Sequence, residues 1–233
     1  MARKADPILG VGVYSVPEAS RLTGVSARRI RCWLRGYAYR GRQHDKLRFV
    51  KPLFKPQHGL IRGNLAPSFL DLIEVRVVDA FISQGVTWPT LRKAAAKAQK
   101  MFKTDHPFAT QQLSTDGRAI FAEVSEGTRD KGVIDIARSQ RVFRKLIDPF
   151  RKGLVFLAGN LAVRWYPLAG DKSVVIDPAR SFGQPIVTKE GVSTAALYQA
   201  HLAGESDRKI IQWFDVSMGS LRAALAFEGR LAA

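Results

Sequence analysis

Val16-Pro17-Glu18-Ala19-Ser20-Arg21-Leu22-Thr23-Gly24-Val25-Ser26-Ala27-Arg28-Arg29-Ile30-Arg31-Cys32-Trp33-Leu34-Arg35-Gly36 is the stretch from which the rest of the chain can be read. It spells two short helices around a tight turn. Pro17 suits the first turn of a helix, where its missing N–H costs nothing. Ala19, Leu22 and Val25 form an inward set. Thr23-Gly24 stops the first helix, because Gly24 is free to take a positive φ. Ser26 caps the second helix, Ala27 to Leu34. There Ile30, Trp33 and Leu34 face the core, while Arg28, Arg31 and Arg35 recur three to four residues apart on the other side.

Two helices of this kind have the proportions of a helix-turn-helix. The second helix of that motif fits the major groove, with its first residues at the base edges and neighbouring residues on phosphates. Ser26, Arg28 and Arg29 stand at the base-reading end, and Arg31 and Arg35 suit phosphates. Tyr37, Tyr39, Arg40, Arg42, Lys46, Arg48 and Lys51 follow in a basic arm. Leu47, Phe49 and Leu53 in that arm read as a hairpin, or wing. From Arg28 to Arg62 there are eleven basic residues and one acid, Asp45.

The whole chain of 233 residues carries a formal charge of +17, which attracts polyanions. The charge is uneven. From Val174 to the end, six basic residues balance six acidic ones, so that part suits another protein rather than phosphates. The single cysteine, Cys32, forms no disulfide within the chain, which fits a reducing cytoplasm. No secretory signal is read at the start, and the longest apolar stretch, Leu154 to Val163, is too short to span a bilayer.

Further along, Ser68 to Gln84 reads as an amphipathic helix capped by Ser68, with Leu70, Ile73, Val77, Ala80 and Phe81 as its stripe. Trp88 to Lys103 is a second helix. Phe108 to Val124 is expected as a β-hairpin turning at Asp116-Gly117. Gln140 to Lys152 is expected to be helical, interrupted at Pro149. Leu161 to Tyr166 and Ser173 to Ile176 are short strands. Three helices follow, Ser193 to Leu202, Ser206 to Phe214 and Ser217 to Leu231, each opened by a serine cap. The expected fold is mainly α with a small β component. It divides into a winged helix-turn-helix domain over 1–104, a mixed α/β linking region over 105–172, and a C-terminal three-helix, helix-turn-helix-like domain over 173–233. Leu221, Leu225 and Phe227 give the last helix an apolar face, read as a protein interface.

The run from Tyr14 to Ser26, with Ile30-Arg31-Cys32-Trp33, resembles the start of a MerR-type winged helix-turn-helix. The wing here is longer and more basic, no long dimerising helix follows, and no cysteine cluster for metal sensing is present. The resemblance therefore implies the DNA-binding mode without effector sensing. Val175-Ile176-Asp177-Pro178, Phe182-Gly183-Gln184-Pro185 and the helices after them resemble an uncharacterised domain found in VapB-type antitoxins; Thr188-Lys189-Glu190 replaces the usual Gly-Thr-Arg. Together the two resemblances look like the two-part VapB-type antitoxin. They imply a DNA-binding antitoxin of a type II toxin-antitoxin module. It would repress its own operator as a homodimer and neutralise a PIN-like ribonuclease toxin.

Enzyme chemistry finds no constellation in the sequence. His44, His58, His106 and His201 are scattered, and none pairs with another ligand at metal spacing. Asp71 and Glu74 share a helical face, Asp79 does not, and the pair reads as solvated surface. No metal, no cofactor and no catalytic residue is expected. A stand-alone regulator without a toxin and an RNA-binding module stacking bases on the aromatic arm remain open as alternatives.

Overall fold

Ser15 opens the first helix, α1 (Val16–Thr23), with a capping box: its hydroxyl accepts the Glu18 amide and its own amide donates to the Glu18 carboxylate. Gly24 ends α1 in the left-handed conformation. Ser26 accepts the Arg29 amide and starts α2 (Ala27–Arg35), whose Ile30, Trp33 and Leu34 are buried. The computed structural model describes residues 10–41, 44–126, 131–157 and 160–232. These residues are mainly helical, with small antiparallel strand pairs. They form two compact units, one spanning Tyr14–Arg151 with Phe156–Ala162, the other holding Lys152–Val155 and Val163–Ala233. Residues on both sides of position 104 thus fall in one unit.

After α2 the chain turns directly into a hairpin, β1 (Tyr37–Gly41) against β2 (His44–Val50), with Tyr37 opposite Val50 and Tyr39 opposite Arg48. Gly36 makes the junction at φ 78°, ψ 179°, a region open to glycine alone. The chain leaving the hairpin is tied back to α2 by the Leu53 amide, which donates to the Trp33 carbonyl at 2.8 Å. Arg92 also donates to the carbonyls of Lys51 and Pro52, and stacks over the Trp88 ring. A second, minimal hairpin, β3 (Leu60–Ile61) and β4 (Asn64–Leu65), leads to the central helix.

That helix is α3 (Phe69–Ser83), capped by Ser68 as expected. It is not amphipathic in the expected way. Leu72, Val75 and Val78 are buried as completely as Ile73, Val77 and Phe81, because α1, α2, α4 (Trp88–Phe102), α7 (Gln140–Arg151) and the 3-10 turn Pro107–Ala109 pack around it. The Arg76 guanidinium lies over the Phe150 ring of α7, and burial lowers its pKa to about 10.

The hairpin expected over Phe108 to Val124 is a helix instead, α5 (Gln112–Ser125). Leu113, Gly117, Ile120 and Phe121 repeat at helical spacing and are buried, and this period overrides the turn preference of Asp116-Gly117. Gly117 is needed for packing: a Cβ there would stand 2.8 Å from the Phe143 ring. Next come α6 (Lys131–Arg138), which sequence reasoning left unassigned, and α7, which runs through Pro149 without the expected interruption.

β5 (Leu154–Phe156) pairs with β6 (Ala162–Trp165), and in the other unit β7 (Val174–Val175) pairs with β8 (Ile186–Val187). Trp165 bridges to Ile176, so the two short strands expected around the Gly170-Asp171 turn do meet. The three helices expected at the C-terminus are α8 (Thr194–Leu202), α9 (Asp207–Phe214) and α10 (Met218–Ala232). Val187, Leu197, Ile210, Val216, Leu221 and Ala224 make their core. Glu190 holds the start of α10, accepting the Ser217 amide and the Ser220 hydroxyl. Among the described residues, no helix is long and apolar enough to cross a membrane.

A Cβ on Gly36 would lie 2.4 Å from the Val50 carbonyl oxygen and 2.9 Å from the Phe49 ring. Gly36→Ala should therefore cost about 2 kcal/mol or more in urea denaturation. A change near zero would show that the hairpin is not seated on the end of α2.

Candidate nucleic-acid interface

The exposed side of α2 is made of arginine. Arg28, Arg31 and Arg35 lie along one helical face in solvent, with Arg29 beside them. These cations are not equivalent. Arg29 Nη1 is 2.7 Å from Asp79 Oδ1 of α3. Its charge is partly answered within the unit and ties the start of α2 to the central helix. Ser26 is exposed, but its hydroxyl is occupied as the cap of α2.

The β1–β2 register sorts the arm into two faces. Directly opposed residues share a face, and alternate residues along a strand do as well. Tyr37 and Tyr39 therefore join Arg48 on one side, with the tyrosine rings 6.2 Å apart and both substantially exposed. Arg40 falls on the opposite side with Leu47 and Phe49, which are 67% and 63% exposed. Lys51 is exposed beyond the hairpin, with its carbonyl held by Arg92. Arg42 lies outside the described residues, and so does the side chain of Lys46.

Residues read as protein interface in the last helix are placed differently. Leu221 and Phe227 are fully buried and spent on the core of their own unit, and Leu225 is partly buried against it. An apolar stripe on a terminal helix needed a core first, and α8 and α9 supply one.

A second polar centre lies inside the N-terminal unit, where solvated surface was expected. Asp71 and Glu74 are completely buried, and His106, from the segment after α4, reaches them. His106 Nδ1 is 3.0 Å from Glu74 Oε2 and 3.9 Å from Asp71 Oδ1. Glu74 Oε1 accepts the Phe108 amide at 3.2 Å, and Asp71 Oδ2 accepts the Ser68 amide at 2.8 Å. Burial pushes Glu74 up to about 7, although His106 works against it. Burial likewise raises Asp71, opposed by Ser68 and His106. For His106 burial acts to lower the pKa, but the hydrogen bond and charge of Glu74, with Asp71, outweigh it and hold the ring above its ordinary value. Thus His106 does pair with other potential ligands, contrary to the scattered-histidine reading. The available signal was the apolar character of α3 all round: a charge between Leu70, Leu72, Ile73 and Val75 has no solvent to face.

Known proteins resemble the chain both locally and along nearly its whole length. Residues 174–227 match the family described as protein of unknown function DUF433. A Mycobacterium tuberculosis (strain ATCC 25618 / H37Rv) protein named "Putative antitoxin VapB45" is 29% identical over 225 residues, covering 92% of this chain and 93% of that protein. The crystal structure of Rv2018 from Mycobacterium tuberculosis superposes with a TM-score of 0.71 at 27% identity, covering 93% of this chain and 99% of that one.

Removing one member of a buried ionic cluster strands the others. Glu74→Ala, which leaves His106 and the Phe108 amide without their acceptor, should destabilise the protein by about 3 kcal/mol or more. Urea denaturation followed by far-UV circular dichroism measures it. A loss below about 1 kcal/mol, the range of exposed ion pairs, would rule out the buried pairing described above.

Proposed function

We propose that this chain is a DNA-binding antitoxin that represses its own operon and neutralises a toxin by direct contact. In this reading α1, α2 and the β1–β2 hairpin act as a winged helix-turn-helix on double-stranded operator DNA. The observation that carries it is the solvent-facing row Arg28, Arg31 and Arg35 on α2, continued without a linker into the hairpin. Arg28, at the start of α2, reads bases, and Arg31, Arg35, Arg40, Arg48 and Lys51 bind phosphates. Arg29 contributes less, because Asp79 already engages it. The likeness to a protein named as an antitoxin supports the toxin-binding half of the proposal.

The toxin would be a PIN-like ribonuclease, and a homodimer would match a paired operator in the cytoplasm. The neutral C-terminal unit suits the protein contact. Phe182, Leu202, Trp213 and Met218 are its large exposed apolar side chains among the described residues, and they replace Leu221 and Phe227 as the surface offered to a partner. A second reading, RNA binding, has one specific observation in its favour: Tyr37, Tyr39 and Arg48 present two rings and a guanidinium on one face, a platform for unpaired bases.

Fluorescence anisotropy with the upstream DNA of the gene, a scrambled duplex and a single-stranded RNA, over a range of salt, separates these readings. The operator should be preferred near physiological salt. Arg28→Ala should erode that preference, whereas Lys51→Ala should weaken both duplexes alike and reduce the salt slope by about one. Equal losses on operator and scrambled DNA from both substitutions would sink base reading by α2. Tighter binding to RNA, abolished by Tyr39→Ala, would replace the duplex with a single strand.

A further inference from the structure

We infer that Asp71, Glu74 and His106 form a binding site for one first-row divalent cation of the zinc type, built into the packing of α3. One ligand atom from each residue lies within 4.8 Å of the other two. In a tetrahedral zinc site with bonds near 2.1 Å, ligand atoms stand roughly 3.4 Å apart. The measured separations of 3.0 Å and 3.9 Å from His106 Nδ1 fall on either side of that value. Small side-chain rotations would close the set.

A separate observation points to a ligand. Asp71 Oδ1 is fully buried and makes no hydrogen bond of ordinary geometry, although the Gln57 backbone lies near the carboxylate, and it faces His106. A buried carboxylate oxygen with nothing to accept is costly, and proteins seldom leave one. The other oxygen of each carboxylate is already committed, Asp71 Oδ2 to the Ser68 amide and Glu74 Oε1 to the Phe108 amide. Each carboxylate is thereby oriented by a backbone donor and offers one oxygen toward His106. This is the outer-shell arrangement that orients metal ligands.

The donor set selects the cation. One imidazole nitrogen with two carboxylate oxygens suits zinc or its first-row neighbours, while magnesium and calcium call for oxygen throughout. Two buried carboxylates against one histidine also leave negative charge that a divalent cation neutralises. With three protein ligands, the fourth position falls to water. The site would join α3, through Asp71 and Glu74, to the segment after α4, through His106. Its role is to lock the helix on which α1 and α2 rest. This inference does not depend on DNA binding or on a toxin.

The test uses the full chain, stripped with a chelator and titrated with Zn2+ and then with Co2+ as a spectroscopic probe. Uptake of one equivalent, a melting temperature raised by several degrees and a visible Co2+ band are expected. Asp71→Asn keeps an acceptor for the Ser68 amide, and should lower affinity at least tenfold while the helical circular dichroism persists. Should that variant fail to fold, His106→Cys supplies a gain of signal: a near-ultraviolet sulfur-to-cobalt band that the wild type, with Cys32 alone, lacks. No uptake by the wild type overturns the site and leaves a proton-sharing ion pair. Uptake undiminished in a folded Asp71→Asn, or His106→Cys without the new band, places the cation elsewhere and overturns it equally.

Discussion

The burial of α3 on nearly every side is the constraint from which the rest of the N-terminal unit follows. A helix of fifteen residues with a single wet face needs one neighbour, but this helix needs several, and α1, α2, α4, α7 and the turn before α5 provide them. Once they are in place, Asp71 and Glu74 have no water to face. His106 and two backbone amides answer them, so hydrogen bonds from His106 and Phe108 tie the segment after α4 to α3. A polar requirement in the core thus dictates the path of a loop. The resulting cluster is satisfied in all but one oxygen.

The two units solve different problems with the same vocabulary of caps. In the N-terminal unit, Ser15, Ser26 and Ser68 set helix starts so that the cationic side of α2 stays in solvent. In the C-terminal unit, Ser193 caps α8, while Glu190 reaches across from a turn to hold the start of α10. That unit closes its own core on Leu221 and Phe227 and leaves Trp213 and Leu202 outside. Charge follows the same division, with cations concentrated around α2 and the hairpin and a neutral balance after Val174.

Much of this was legible in the order of residues. Pro17, Gly24 and Ser26 bracket α1 and α2 because caps and left-handed stops depend on a few local atoms. The same local chemistry marks α8 and α10, where Ser193 and Ser217 cap as expected; Ser206 stands at the start of α9 without a side-chain cap bond. The alternation around Leu47 and Phe49 announced a strand pair. Part of what escaped was nonlocal. The Asp116-Gly117 pair looks like a turn, but Leu113, Gly117, Ile120 and Phe121 are buried at helical spacing, and Gly117 leaves room for the Phe143 ring. Asp71 and Glu74 look solvated until α3 is surrounded. Leu221 and Phe227 look like an interface until α8 and α9 fold over them. Arg29 is indistinguishable in sequence from Arg28, and only Asp79, fifty positions away, divides them. For Arg29 and the last helix the deciding partner is distant in the chain, where periodicity and propensity are blind; for α5 and α3 the helical period and the all-round apolar run were there to be read, and a local turn preference and a shared carboxylate face were weighted above them.

The glycine at position 36 has a mechanical consequence. It puts the entry strand of the hairpin, the carbonyl of the last residue of the exit strand and the final turn of α2 at one point. The hairpin strands are therefore hinged on the helix end through one residue. A surface pressed against the described strands would thus act directly on the end of α2, because no linker residue other than Gly36 separates the two elements.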